Sequence, residues 1–130
     1  MPCGTPWKTG RLRMNSLNFD QGMLVTANIL FSNQIGLKLR PALIISGSGY
    51  NRESDDVVVL KVTSTREKPF PCNVDLRQDD LVDGKTKNES TILVDFPITI
   101  EKGQALNYIG KISAEKLAEV KQKMRELYGL

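Results

Sequence analysis

Pro41 opens the stretch of this 130-residue chain that most restricts its fold. It follows Lys38-Leu39-Arg40 and leads straight into Ala42-Leu43-Ile44-Ile45. Proline has no N–H to give to a sheet ladder, so it belongs at the first residue of a strand or at an edge. The run behind it lacks polar alternation, which is the pattern of a strand buried on both faces. Arg40 is thereby expected where a buried strand emerges into a loop. A guanidinium on so stiff a stem is well placed to grip a phosphate.

Other segments extend this β-rich pattern. Residues 23–31 form a first strand candidate, and residues 41–46 a second. Between them lies a loop holding Asn33, Gln34 and Gly36. Gly47-Ser48-Gly49 and Asn51 mark a turn. Residues 56–63, Asp-Val-Val-Val-Leu-Lys-Val-Thr, read as a strand from their β-branched content. Residues 70–76 alternate weakly, and 81–90 are polar enough to read as a loop. Residues 91–94 are apolar until Pro97 interrupts, after which Ile98-Thr99-Ile100 resume.

The period then changes. Leu117, Val120, Met124, Leu127 and Tyr128 recur at helical spacing along one face, which reads as a packing stripe. Ser113 is a natural N-cap, Glu115 suits the positive end of the helix, and Gly129 fits just past its C-terminus. Short strands followed by one terminal helix predict a mainly β fold: a small, SH3-like, strongly curved antiparallel β-barrel with a C-terminal α-helix. The chain length fits one domain. Residues 1–20, with scattered charge and no sustained periodicity, read as a flexible N-terminal extension, and 21–130 as the single domain.

The chain contains no histidine. This excludes Ser-His and Cys-His nucleophile pairs and any two-histidine ribonuclease mechanism. Cys3 and Cys72 have no metal-ligand spacing, so no metal and no cofactor are expected. A net charge of +3 permits an RNA partner without demanding one. The charge is uneven: residues 61–68 carry three bases and one acid, whereas 75–89 carry five acids and three bases. No apolar run approaches the ~20 residues of a membrane span, and residues 1–10 lack the apolar core of a secretory leader. The expected location is cytoplasmic.

Several ordered motifs resemble the MazF/PemK family of toxin–antitoxin endoribonucleases. They are Gly22-Met23-Leu24-Val25, the Lys38-Leu39-Arg40-Pro41-Ala42 strand start, and Lys61-Val62-Thr63-Ser64. Val94-Asp95-Phe96-Pro97-Ile98-Thr99-Ile100 and Ile109-Gly110-Lys111-Ile112-Ser113 follow. The resemblance covers roughly residues 21–120 and implies a CcdB/PemK-like fold. It departs from the family pattern at Met23, where an acid is common, and at Leu93 and Ile98, where some members carry arginine.

The resemblance implies metal-independent, sequence-specific cleavage of single-stranded RNA by 2′-hydroxyl attack on the neighbouring phosphorus. Arg40 and Thr63 would steady the extra negative charge, and Asp95 is the carboxylate that could accept the 2′-hydroxyl proton. A guanidinium holds its proton too tightly to donate it near neutrality, so Arg40 reads as a clamp. Lys38, Ser64, Thr65, Arg66 and Lys68 would hold RNA, with Phe31 and Phe70 either stacking a base or packing in the core. The partners implied are an acidic antitoxin and a second copy of the chain in a homodimer. The alternatives are a CcdB-like DNA gyrase inhibitor acting through its C-terminal helix, or a non-catalytic binding barrel of the same fold.

Overall fold

The structure, a computed structural model, describes residues 18–29, 38–64, 73–86 and 89–130. Among these residues, seven strands and two α-helices follow in the order β1 (Met23–Ile29), β2 (Lys38–Ile44), α1 (Ser48–Glu53), β3 (Asp56–Thr63), β4 (Asn73–Leu76), β5 (Leu81–Gly84), β6 (Ser90–Glu101), β7 (Ala105–Ile112) and α2 (Ala114–Tyr128). The strands form one antiparallel sheet in the order β4-β6-β3-β2-β1-β7-β5.

The sheet cannot be flat. Its two edges, β4 and β5, are consecutive in sequence, with Leu76 ending one and Leu81 starting the other. Seven strands spaced about 4.8 Å apart would separate flat edges by about 29 Å. Five residues of chain reach at most about 18 Å. The sheet therefore curls into a half-barrel that brings its edges towards each other. A single 3-10 turn, Gln78–Asp80, bridges the gap.

Irregular pairing supplies the curvature. The β1–β7 register slips twice, between Leu24 and Val25 and between Thr26 and Ala27. In β6 the slip is larger. Leu93 pairs with Lys61 but Pro97 pairs with Leu60, so Val94, Asp95 and Phe96 have no partner in β3. Three extra residues reverse the side-chain parity. Before the bulge, Ile92 and Val94 face the cluster that receives α2. After it, Ile98 and Ile100 face the opposite cluster.

Those two apolar clusters lie on opposite faces of the sheet. One gathers Val25, Ala27, Ile29, Ala42, Ile44, Val57 and Val59 with Phe19. The other gathers Leu24, Leu43, Leu60, Val62, Val74, Leu76, Ile92 and Val120, with Leu117, Met124 and Leu127 of α2 against them. The helical stripe expected from the sequence thus packs on the sheet. Ser113 caps α2 by accepting a bond from the Lys116 N–H at 3.1 Å, and Gly129 takes the left-handed conformation (φ 71°) past its end.

Several expectations need correction. Residues 48–53 form a short helix where a turn was expected. The Asn51 side chain is buried there and donates to the carbonyls of Phe19 (2.7 Å) and Ser46 (3.0 Å), which secures the helix to its neighbours. Phe19, inside the range read as an extension, is a core residue. Residues 81–84 form β5 despite their polarity, because the ladder partner is β7 and the contact is made through glycines. Pro97 does not break β6, because the ladder is already interrupted at the bulge where it sits. No helix among the described residues is long and apolar enough to cross a membrane.

Candidate active site

Arg40 lies inside β2 rather than at its mouth, because β2 begins at Lys38 and Arg40 pairs with Ala27 of β1. Pro41 is therefore not the first strand residue. The β2–β3 ladder starts at Ala42, immediately past the proline, so the residue lacking an N–H occurs where β2 is paired with β1 alone.

Register fixes which side chains share a face. Directly paired residues project from the same side of a sheet, and residues two apart along a strand do the same. Ala42 pairs with Lys61. Arg40 is two residues back along β2 and Thr63 two residues on along β3, so all four share one face. The same register, continued by two positions, sets Arg40 opposite Thr63. Thr63 pairs with Thr91 of β6, and Thr91 with Asp75 of β4. A polar row, Arg40–Thr63–Thr91–Asp75, thus crosses four neighbouring strands. The next row along is Ala42–Lys61–Leu93–Asn73. Arg40, Thr63, Thr91 and Lys61 are half-buried, while Asp75 is exposed.

Among the described residues, Ser64 lines two clefts at this end of the sheet. The larger, of about 350 Å³, is walled by Leu24, Pro41, Val62, Leu76 and Ile109, with Lys85, Thr86 and Ser90 also lining it. The smaller, of about 110 Å³, is polar and bounded by Asp75, Arg77, Glu89, Ser90 and Thr91. The Arg77–Glu89 ion pair there (3.7 Å) is well exposed and contributes little to stability.

Asp95 is in the β6 bulge, exposed, and four residues along the strand from Thr91. It is therefore placed beside Lys61 rather than beside Thr63. Its neighbour Phe96 lies under the Lys61 ammonium, with Nζ 5.1 Å from the ring centroid. For Lys38 only the backbone is described. Phe31, Thr65, Arg66, Lys68 and Phe70 lie outside the described residues.

Lys61, Thr91, Asp75 and Phe96 join this face without having been singled out from the sequence. Alternation along β3 connects Lys61 with Thr63. No local signal marks Thr91 or Asp75, because their position depends on long-range register. Elsewhere, Tyr108 donates a short hydrogen bond to Asp83. Desolvation, that bond and the nearby carboxylates push the phenol up to about 12.

Residues 20–128 match the family model for the PemK-like, MazF-like toxin of type II toxin–antitoxin systems. A search among curated proteins returns no match. Among solved structures, the chain resembles a MazE-MazF complex from Deinococcus radiodurans, with a TM-score of 0.71, 28% identity, and coverage of 88% of this chain and 99% of that one. It also resembles an endoribonuclease from a mycobacterial species (TM-score 0.70, 20% identity, 88% and 94% covered). A third similar structure is a mycobacterial endoribonuclease in complex with its cognate antitoxin (0.69, 21%, 85% and 95%). The two mycobacterial structures bear on the fold alone.

Proposed function

Because the chain belongs to the PemK-like, MazF-like toxins of type II toxin–antitoxin systems, we propose that it is an endoribonuclease acting on single-stranded RNA. The observation that carries this reading is the placement of Arg40 and Thr63 on one face, on adjacent strands.

In the proposed reaction the ribose 2′-oxygen gives up its proton and attacks the adjacent phosphorus, and the bond to the 5′-oxygen breaks, that oxygen taking up a proton from water. The products are a 2′,3′-cyclic phosphate and a 5′-hydroxyl. Nucleophile and leaving group both belong to the RNA, so the protein needs no covalent nucleophile. Its task is to stabilise charge on the non-bridging oxygens. Arg40 offers parallel N–H donors and Thr63 a hydroxyl, both fixed by the sheet before substrate arrives. Asp95 is the proposed acceptor of the 2′-hydroxyl proton, which requires the attacking ribose to lie between the Arg40–Thr63 pair and the bulge so that its 2′-oxygen is within hydrogen-bond reach of the carboxylate. An acidic antitoxin segment suits the same face, since a disordered polyanion can take the place of RNA there. The working unit is proposed to be a homodimer.

A synthetic RNA with a single 2′-deoxy substitution tests the chemistry. Cleavage should vanish at the substituted position and persist elsewhere, leaving 5′-hydroxyl ends. Continued cutting at the deoxy position would rule the mechanism out.

A further inference from the structure

We propose that Lys61 and Phe96 form a second nucleotide subsite, one step along β3 from the Arg40–Thr63 pair. The proposal rests on the ribonuclease reading above and names the next contact that the substrate makes.

Four observations support it. Lys61 lies in a central strand, paired on both sides, with Ala42 of β2 and Leu93 of β6. Its stem is therefore held by the sheet rather than by a loop. It projects from the same face as Thr63, two residues away, a step of about 6.6 Å along a strand. That step is comparable to one nucleotide of extended single strand. Lys61 is also the diagonal neighbour of Arg40 in the continued β2–β3 register, so two cations lie next to each other on one face, where successive phosphates of one strand can meet them. Leu93, across the ladder, is uncharged, and the exposed Asp95 of the adjoining bulge is the carboxylate that shares this neighbourhood.

The fourth observation is Phe96. It lies in the bulge, where three residues of β6 leave the ladder, and bulges re-aim side chains. The ring is 39% exposed, a large apolar side chain left open beside the polar row. The Lys61 ammonium lies over it, 5.1 Å from the centroid, within the range of a cation–π contact. The remaining open surface of the ring is a platform for one base, and the ammonium beside it is a point charge for that nucleotide's phosphate. Lys61 is thus a substrate-binding residue that widens the footprint beyond the cleaved phosphate.

Binding of a 2′-deoxy-substituted, uncleavable oligonucleotide, followed by fluorescence anisotropy across a salt series, tests this. Lys61→Met keeps the aliphatic stem and removes the charge. It should weaken binding about tenfold and reduce the salt slope by about 0.7, the loss of one phosphate contact on a single strand. Lys61→Arg should restore both. Phe96→Leu should weaken binding about tenfold with the slope unchanged. Lys61→Gln, read in the same way, serves where the methionine variant folds poorly. The proposal is overturned if Lys61→Met binds and cleaves like the parent with an unchanged slope while Arg40→Ala has lost cleavage. If the parent chain neither binds nor cleaves any single-stranded RNA, the ribonuclease reading itself fails.

Discussion

Arg40 and Thr63 project from one face of the sheet on neighbouring strands, two residues beyond the Ala42–Lys61 pair that fixes their register. Two donors preorganised towards one phosphate should act as a unit. Arg40→Ala is expected to lower cleavage about 10²–10³-fold, the usual effect of removing one such donor, and Thr63→Val somewhat less. The double variant should lose less than the product of the two single losses, because neighbouring groups in one site are not independent. Single-turnover rates on one RNA measure this. Strict additivity would separate the two residues functionally.

Gly84 and Gly110 approach so closely across the β5–β7 ladder that neither tolerates a side chain. A Cβ on Gly84 would lie 2.1 Å from the Ile109 carbonyl oxygen, and one on Gly110 would lie 2.4 Å from that of Asp83. Gly84 also holds φ at +86°, which disfavours alanine independently of space. Gly84→Ala is expected to destabilise the fold by about 2–4 kcal/mol, through overpacking and backbone strain together. Gly47→Ala, with open space around it, is the comparison and should melt close to the parent. Equal melting temperatures for the two variants would contradict the close approach.

Much of this fold was legible locally, and the failures share a cause. β3 and α2 announced themselves through β-branched content, helical spacing and the caps Ser113 and Gly129. β5 did not, because Leu81-Val82-Asp83-Gly84 is a strand only through its pairing with β7. β6 looked like two pieces because Pro97 follows an apolar run. Its continuity depends on a bulge that no local pattern encodes. The site divided in the same way. Arg40 stood out on its own strand and Thr63 through the family resemblance of Lys61-Val62-Thr63-Ser64, whereas Thr91 and Asp75 joined them only through register across three ladders.

Asn51 should prove costly to remove. Its buried amide bonds the carbonyls of Phe19 and Ser46, and its Oδ1 accepts from the Ser46 hydroxyl at 2.5 Å. Asn51→Ala would leave those buried groups without their partner, at about 1–3 kcal/mol. The loss should appear in thermal melting, and hydrogen exchange should rise locally around residues 18–20. A variant with parental stability would show that water replaces the amide freely.

Tyr108 gives a pH signature. Its phenol is pushed up to about 12 from 10.0, chiefly by desolvation and then by the bond to Asp83. The unfolded chain loses this proton near pH 10, whereas the folded chain retains it. The contribution to stability is therefore complete below pH 10 and is lost as pH rises from 10 towards 12. In an ultraviolet absorbance titration, one of the three tyrosines should ionise last. Asp83→Asn should bring it down towards the others. Superimposed titrations for parent and variant would contradict the assignment.

Whether the face bearing Arg40 and Thr63 cleaves RNA can be read directly. The most direct measurement incubates the purified chain, with Arg40→Ala beside it, on a long single-stranded RNA in EDTA and maps the new ends. Discrete cuts with 5′-hydroxyl ends are expected for the parent chain, and their loss in the variant. Identical cutting by both proteins, or no cutting of any of several RNAs by the parent, would contradict it.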